Sequence, residues 1–211
     1  MTRLVVRQLG TAPYEETWQR MKAFTEERDG TTYDELWFLE HPAVYTLGQA
    51  GRAEHIIAPG EIPVVKSDRG GQVTYHGPGQ LVGYLLIDIK RLGVGARTLV
   101  TGIERSIIDF LGKRGIQAMA RKDAPGVYVA GRKIAALGLR VRKGCSYHGL
   151  SLNVDMDLVP FAGIDPCGYK GLEVIDLKTL GMLMTVAQAA GELAPIIGAE
   201  FAYDALIHET S

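Results

Sequence analysis

Nothing in this 211-residue chain approaches the ~18 consecutive apolar residues that a membrane-spanning helix needs. The segment from Met182 to Ala199 comes nearest, and Gln188 and Glu192 interrupt it. At the start, Arg7 and Gln8 break the apolar run before a secretory core can form, so no signal peptide is expected. Cysteine is scarce. With only Cys145 and Cys167, and a cytoplasmic location expected, two free thiols are favoured over a disulfide. Charge of one sign is also missing: the net charge of −1 gives no global field for nucleic acid or a membrane surface. The G-x-x-x-x-G-K-[ST] phosphate loop and the G-x-S-x-G nucleophile elbow do not occur, and Gly77-Pro-Gly79 lacks the third glycine of a dinucleotide fingerprint.

What is present suits a folded protein. The hydrophobic fraction is 46% and the charged fraction 22%, and a chain this long buries a substantial core without disulfides. One domain over residues 1–211 is expected, with a small C-terminal part beginning near 165 as the alternative. Strands are predicted at Arg3 to Leu9, Glu35 to Glu40, Ala43 to Leu47, Pro63 to Lys66, Gln72 to Tyr75 and Leu81 to Ile89. The last is apolar on both faces, which places it centrally in a sheet. Further strands are expected at Ile116 to Ala120, Gly126 to Ala130, Lys133 to Val141 and Ser146 to Val154. Pro13 suits a first helical turn, and Tyr14, Trp18, Met21 and Phe24 follow at helical spacing up to Gly30. A second helix is predicted from Thr98 to Arg114, and short turns of helix at Asp157 to Ala162 and Leu172 to Val174. Thr185 with Gln188 forms a capping box for a last helix reaching near Ala205, kinked at Pro195. Strands arriving in runs, with few long helices, argue an α+β fold with a mixed, largely antiparallel sheet.

The block Arg69-Gly-Gly-Gln-Val-Thr-Tyr-His-Gly-Pro-Gly-Gln80 has five Gly or Pro in twelve positions, beside a cation, an imidazole and three further polar side chains. Gly and Pro set unusual backbone angles and let another molecule approach the main chain, so the block reads as a ligand-binding floor. Cys167 lies in Ile-Asp-Pro-Cys-Gly-Tyr-Lys, a turn context. It is either a displayed nucleophile or a half-buried bystander beside a bend. Candidates to lower its pKa are His76, His148 and Lys133. Lys133, in Gly131-Arg-Lys-Ile-Ala-Ala-Leu-Gly138, is either a partly desolvated base or an exposed lysine at a strand start. Cys145 reads as structural. Cys145 and His148 have half of a zinc-like spacing, with Cys167 and His76 as conceivable completions, but no second close pair exists and no metal is expected. Arg140, Arg142 and Lys143 make a basic edge: a solvated face, or a dock for an acidic protein.

Taken together, Arg69-Gly-Gly71, Thr74-Tyr75-His76, Gly79-Gln80, the upstream His41-Pro-Ala-Val-Tyr-Thr-Leu-Gly48, the lysine segment and Ile164-Asp-Pro-Cys-Gly168 resemble the lipoyl(octanoyl) transferases. The resemblance runs from about residue 3 to 180. It implies a fold shared with the biotin and lipoate protein ligase catalytic domains. It also implies transfer of an octanoyl group from acyl carrier protein to a specific lysine of lipoyl domains or of the glycine-cleavage H protein; separately, a monomer is expected. On this resemblance Cys167 carries the acyl group as a thioester and Lys133 lowers the thiol pKa and then handles the acceptor proton. Arg69, Gly70, Gly71, Gln72, Val73, Thr74, Tyr75, His76, Ala136, Leu137, Gly138, Gly149, Leu150 and Ser151 would line the acyl site. A thioester donor is already activated, so no cofactor is implied. The alternatives are an ATP-dependent lipoate or biotin ligase, transfer between two lipoyl domains, and a non-catalytic module that recognises lipoyl domains. The role of His76 is open.

Overall fold

Strands form where aliphatic, branched and aromatic residues cluster, and the period of two along each strand decides which layer a side chain joins. The structure is a computed structural model that describes residues 2–166 and 171–210. In chain order its elements are β1 (Arg3–Thr11), α1 (Tyr14–Glu27), β2 (Asp34–Glu40), β3 (Val44–Leu47), β4 (Val64–Lys66), β5 (Val73–His76) and β6 (Gln80–Leu86). There follow α2 (Ala96–Gly112), β7 (Met119–Ala120), β8 (Gly126–Val129), β9 (Arg132–Arg142), β10 (Cys145–Asn153), α3 (Val186–Glu200) and β11 (Ala205–Thr210). Eight strands make one sheet in the order β11-β1-β2-β6-β10-β9-β8-β7, and β4-β3-β5 make a small second sheet. β1 is parallel to β11 and β2, and the other pairs of the large sheet are antiparallel. This is the mixed, largely antiparallel α+β arrangement the pattern predicts.

β6 is buried at every residue and lies between β2 and β10. Its alternation divides the core. Leu81 and Leu85 join Leu36, Phe38, Leu150 and Leu152 under α2 and α3. Val82, Tyr84 and Leu86 join Trp37, Leu39 and Tyr147 under Met21 of α1. On α2, Leu99, Ile103, Ile107 and Phe110 are fully buried, as the helical spacing requires. A third cluster, Tyr45, Val73, Tyr75, Phe161 and Ile164, fixes the small sheet.

Some expectations need correction. α1 stops at Glu27 rather than Gly30, because Arg28 turns extended and its guanidinium reaches Asp34 (2.7 Å) and the Leu86 carbonyl (3.0 Å). The Thr185–Gln188 capping box is present, with Gln188 N–H donating to Thr185 Oγ1 at 3.2 Å. α3 runs on through Pro195 but ends at Glu200, and Ala205–Thr210 pairs with β1 instead of extending the helix. Residues 172–174 are not helical. Val174 bridges to Lys133, and Lys133 N–H donates to the Glu173 carbonyl at 2.8 Å. Pairing with the start of β9 satisfies that backbone better than an isolated turn of helix.

Candidate active site

The site lies on the α1 side of the large sheet, where small residues face one another. Ala136 pairs with Ser151 and Gly138 with Gly149 across β9 and β10, while Ser151 and Gly149 pair with Val82 and Tyr84 of β6. Low side chains here leave a slot with about 480 Å³ of empty space, part of it open to solvent. Ala136, Leu137, Gly138, Gly149, Leu150 and Ser151 all border it. Its glycines also let backbones meet. A Cβ on Gly138 would lie 2.8 Å from the Gly70 carbonyl, and one on Gly149 would lie 2.1 Å from the Gly83 carbonyl.

The loop from Ser67 to Gln72 crosses this slot. Gly70 N–H donates to the Leu139 carbonyl at 2.9 Å, fastening the loop to β9. Gly71 adopts φ +85, a backbone that side chains rarely tolerate. The Arg69 guanidinium donates to Thr46 Oγ1 (2.9 Å), the Gly70 carbonyl (2.9 Å) and the Gln72 carbonyl (2.7 Å), which ties the loop to β3. Arg69, Gly71 and Gln72 border the slot, whereas Gly70 borders a neighbouring groove beside Ala96 and Arg97. β5 alternates. Thr74 and His76 face the slot, while buried Val73 and Tyr75 point into the third hydrophobic cluster.

His76 and His148 border the slot, His41 packs behind them against Tyr14, His76 and Tyr84, and each imidazole has a defined tautomer. His41 Nδ1 donates to the Ala12 carbonyl (2.6 Å), so its Nε2 accepts from the Tyr84 hydroxyl (2.7 Å). Burial holds its pKa down to about 4. Gln80 Nε2 donates to Asn153 Oδ1 (2.9 Å), which turns Gln80 Oε1 toward His76 and makes His76 Nδ1 the donor (2.7 Å). Burial, with His41 nearby, holds His76 down to about 3. His148 donates from Nε2 to Asp68 Oδ1 (2.9 Å), and burial lowers its pKa too. Burial alone would raise the Asp68 carboxyl. Hydrogen bonds from His148, Tyr147 and Trp18 outweigh it and hold the group at about 2. At neutral pH the imidazoles are therefore uncharged, so His76 and His148 give a lining compatible with an apolar chain.

Lys133, second residue of β9, is 4% exposed and stands at one end of the slot. It borders a smaller cavity, about 300 Å³ of empty space, with Gln80, Asn153, Phe161 and Pro166. Thr74, Ala136 and Ser151 line both spaces, so the lysine cavity and the slot share walls. The Lys133 ammonium sits 5.4 Å from the Tyr128 ring centroid. Its burial removes the exposed-lysine reading. Cys167 lies outside the described residues, and Pro166 is the described residue that precedes it. Cys145 opens β10, is 6% exposed, and has its thiol pushed up by burial, as a structural cysteine should. Arg142 and Lys143 both pair with Glu26 of α1, which partly neutralises the basic edge. Among the described residues no group of three His, Cys, Asp or Glu could hold a metal ion.

Tyr14, Val82, Tyr84 and Asp68 did not stand out in the sequence as site residues. The signal for Val82 and Tyr84 is the alternation of β6, which puts them opposite Ser151 and Gly149. Tyr14 looks like one more residue of a helical stripe, and nothing local marks Asp68.

The lipoyl protein ligase A/B catalytic domain family matches residues 13–195. The octanoyltransferase of Shewanella amazonensis is 57% identical over 205 residues, covering 97% of this chain and 95% of that protein. The octanoyltransferase of Shewanella baltica is 58% identical over 207 residues, covering 98% and 95%. Among solved structures, a bi-partite lipoate protein ligase from Thermoplasma acidophilum superposes with a TM-score of 0.77 at 16% identity, covering 100% of this chain and 88% of that one. Biotin protein ligase from Aquifex aeolicus gives 0.57 at 12% identity, covering 96% and 70%. These distant structures share the fold.

Proposed function

The chain belongs to the lipoyl protein ligase A/B catalytic domain family and is an acyltransferase acting in protein lipoylation; we propose that it passes an octanoyl group through a thioester on Cys167, with Lys133 handling the protons. The donor is octanoyl-acyl carrier protein. The acceptors are the target lysines of lipoyl domains and of the glycine-cleavage H protein. The observation that supports this reading most is the shared wall: a buried lysine and the residue before Cys167 border one cavity, and Thr74, Ala136 and Ser151 lead from it into the slot.

The steps balance without a cofactor. The Cys167 thiolate attacks the donor carbonyl, a new C–S bond forms, and the carrier leaves as a thiol after taking a proton. The acceptor amine then attacks the acyl-enzyme, a C–N bond forms, and Cys167 is released. A lysine acceptor is protonated at neutral pH and must lose a proton before attack. Lys133 takes that proton, its own ammonium having supplied one to the departing carrier thiol. Each CH₂ of the tail buried in the slot contributes about 0.8 kcal/mol.

Intact mass measurement after mixing with octanoyl-acyl carrier protein tests this. One octanoyl group should appear on the protein and map to Cys167. Cys167→Ser should give no thioester and lose transfer, and Lys133→Ala should lose transfer as well. Normal turnover by Cys167→Ser refutes the covalent route. Transfer from free octanoate that requires ATP would instead mark an adenylating ligase, and a donor preference for an octanoylated lipoyl domain would mark the amidotransferase alternative.

A further inference from the structure

The floor of the slot has a direction. Starting from Lys133, β9 and β10 present the pair Ala136–Ser151, then Gly138–Gly149, then the large residues Arg140 and Tyr147. His148 stands at this far end with an anomalous backbone. Regular alternation would send its side chain to the opposite face, with Leu150, because Tyr147 and Gly149 both serve the slot face. Instead His148 adopts φ +58, a left-handed conformation costing on the order of 1 kcal/mol in a residue with a Cβ. Its ring therefore lands on the slot face, centroid 5.1 Å from Tyr147, 5.9 Å from Tyr84 and 6.5 Å from Tyr14. The side chain is 1% exposed, its Nε2 is fixed by Asp68, and its Nδ1 is buried without a hydrogen-bond partner among the described residues. A strained backbone and an unsatisfied buried nitrogen are both costs, and packing alone would be met more cheaply by an aliphatic residue in ordinary strand geometry.

We propose that the imidazole of His148, turned onto the slot face by its left-handed backbone and held there by Asp68, is the end stop that sets the length of acyl chain the slot accepts. From the Ala136–Ser151 pair to His148 is three residues of strand, about 10 Å. An extended eight-carbon chain whose carbonyl lies toward Lys133 fills a run of that order. Further methylenes would have to occupy the volume of the ring. This rests on the octanoyl-transfer reading and deepens it by naming a specificity-determining residue.

The test compares transfer rates from carrier protein bearing six-, eight-, ten- and twelve-carbon acyl chains. His148→Gly removes the ring and suits the left-handed backbone. His148→Asn tolerates the same backbone and keeps an N–H for Asp68 on a shorter side chain. Both should raise the twelve-to-eight carbon ratio of kcat/KM, about tenfold or more for glycine. Variants that fold and transfer octanoyl with the wild-type ratio overturn the proposal. A wild-type protein that transfers no acyl chain at all overturns the reading of the reaction, and the end stop falls with it.

Discussion

Acidification from pH 7.5 to 4.5 loads protons onto His41 and His76 in the unfolded chain but not in the folded one. An unfolded histidine titrates near 6.5, and burial lowers the folded values to about 4 and about 3. Both side chains are at most 6% exposed, so solvent does little to screen the effect. The sign follows from proton counts. Between pH 6.5 and 4 the unfolded state binds more protons, so stability falls as pH falls and is complete above 6.5. Each group costs about 1.4 kcal/mol per pH unit in that window. For the pair, moving from pH 6.5 to 4.5 costs about 5 kcal/mol, against a total stability of about 5–15 kcal/mol for a protein domain. His148, also lowered, acts in the same direction. Asp68 does not enter this window, because its contribution is lost only between pH 3.8 and about 2. Urea unfolding at pH 7.5, 6.5, 5.5 and 4.5, at constant ionic strength, should show stability level at first and then falling by about 3 kcal/mol per unit. His76→Gln should roughly halve that slope. A flat profile from pH 7 to 5, or an unchanged slope in His76→Gln, would show that these imidazoles are not held neutral by the fold.

Two further perturbations address the walls of the slot. Gly149→Ala puts a Cβ 2.1 Å from the Gly83 carbonyl, a backbone atom that cannot swing aside, so β6 and β10 must separate. The expected loss is about 3 kcal/mol or more, seen as a fall of roughly 10 °C in Tm. Tyr84→Phe removes the hydroxyl that donates to His41 Nε2 and leaves a buried acceptor unpaired, which should cost about 1–3 kcal/mol by chemical denaturation. A Tyr84→Phe protein as stable as wild type would mean that the Tyr84–His41 hydrogen bond contributes no net stability.

The large elements were legible in the sequence because their signals are strong and local. The apolar run that follows Gln80 in β6, the helical stripe of α2 and the Thr185–Gln188 capping box each have one good solution. The misses share a cause: long-range pairing. Ala205–Thr210 becomes a strand because β1 offers an edge two hundred residues earlier in the chain, and residues 172–174 are held extended by Lys133. The block from Arg69 to His76 does mark the slot, yet its own alternation separates Val73 and Tyr75, which build the core beneath, from Thr74 and His76, which face the ligand space. That division could have been read from a period of two. The position of His148 could not, because a left-handed residue inside a strand breaks the rule by which strand faces are assigned, and the Asp68 that holds it lies eighty positions away.

The slot walls explain why the acid sensitivity and the shape of the site belong together. An aliphatic wall packs well but has no directional bonds, and its surface can shift as a ligand enters. Here each ring is anchored to a different part of the chain: His41 to the Ala12 carbonyl before α1, His76 to Gln80 at the start of β6, and His148 to Asp68 in the crossing loop. Three anchors from separate segments fix a cavity more tightly than contacts within one strand. The same burial that fixes the rings denies them protons, which makes the fold sensitive to acid. The His76→Gln protein therefore carries a second readout. It should be the more acid-stable protein and, with one ring missing from the wall, should discriminate less sharply between eight- and ten-carbon chains. Acid resistance gained with an unchanged chain-length profile would separate the two properties and show that His76 shapes the pH dependence alone.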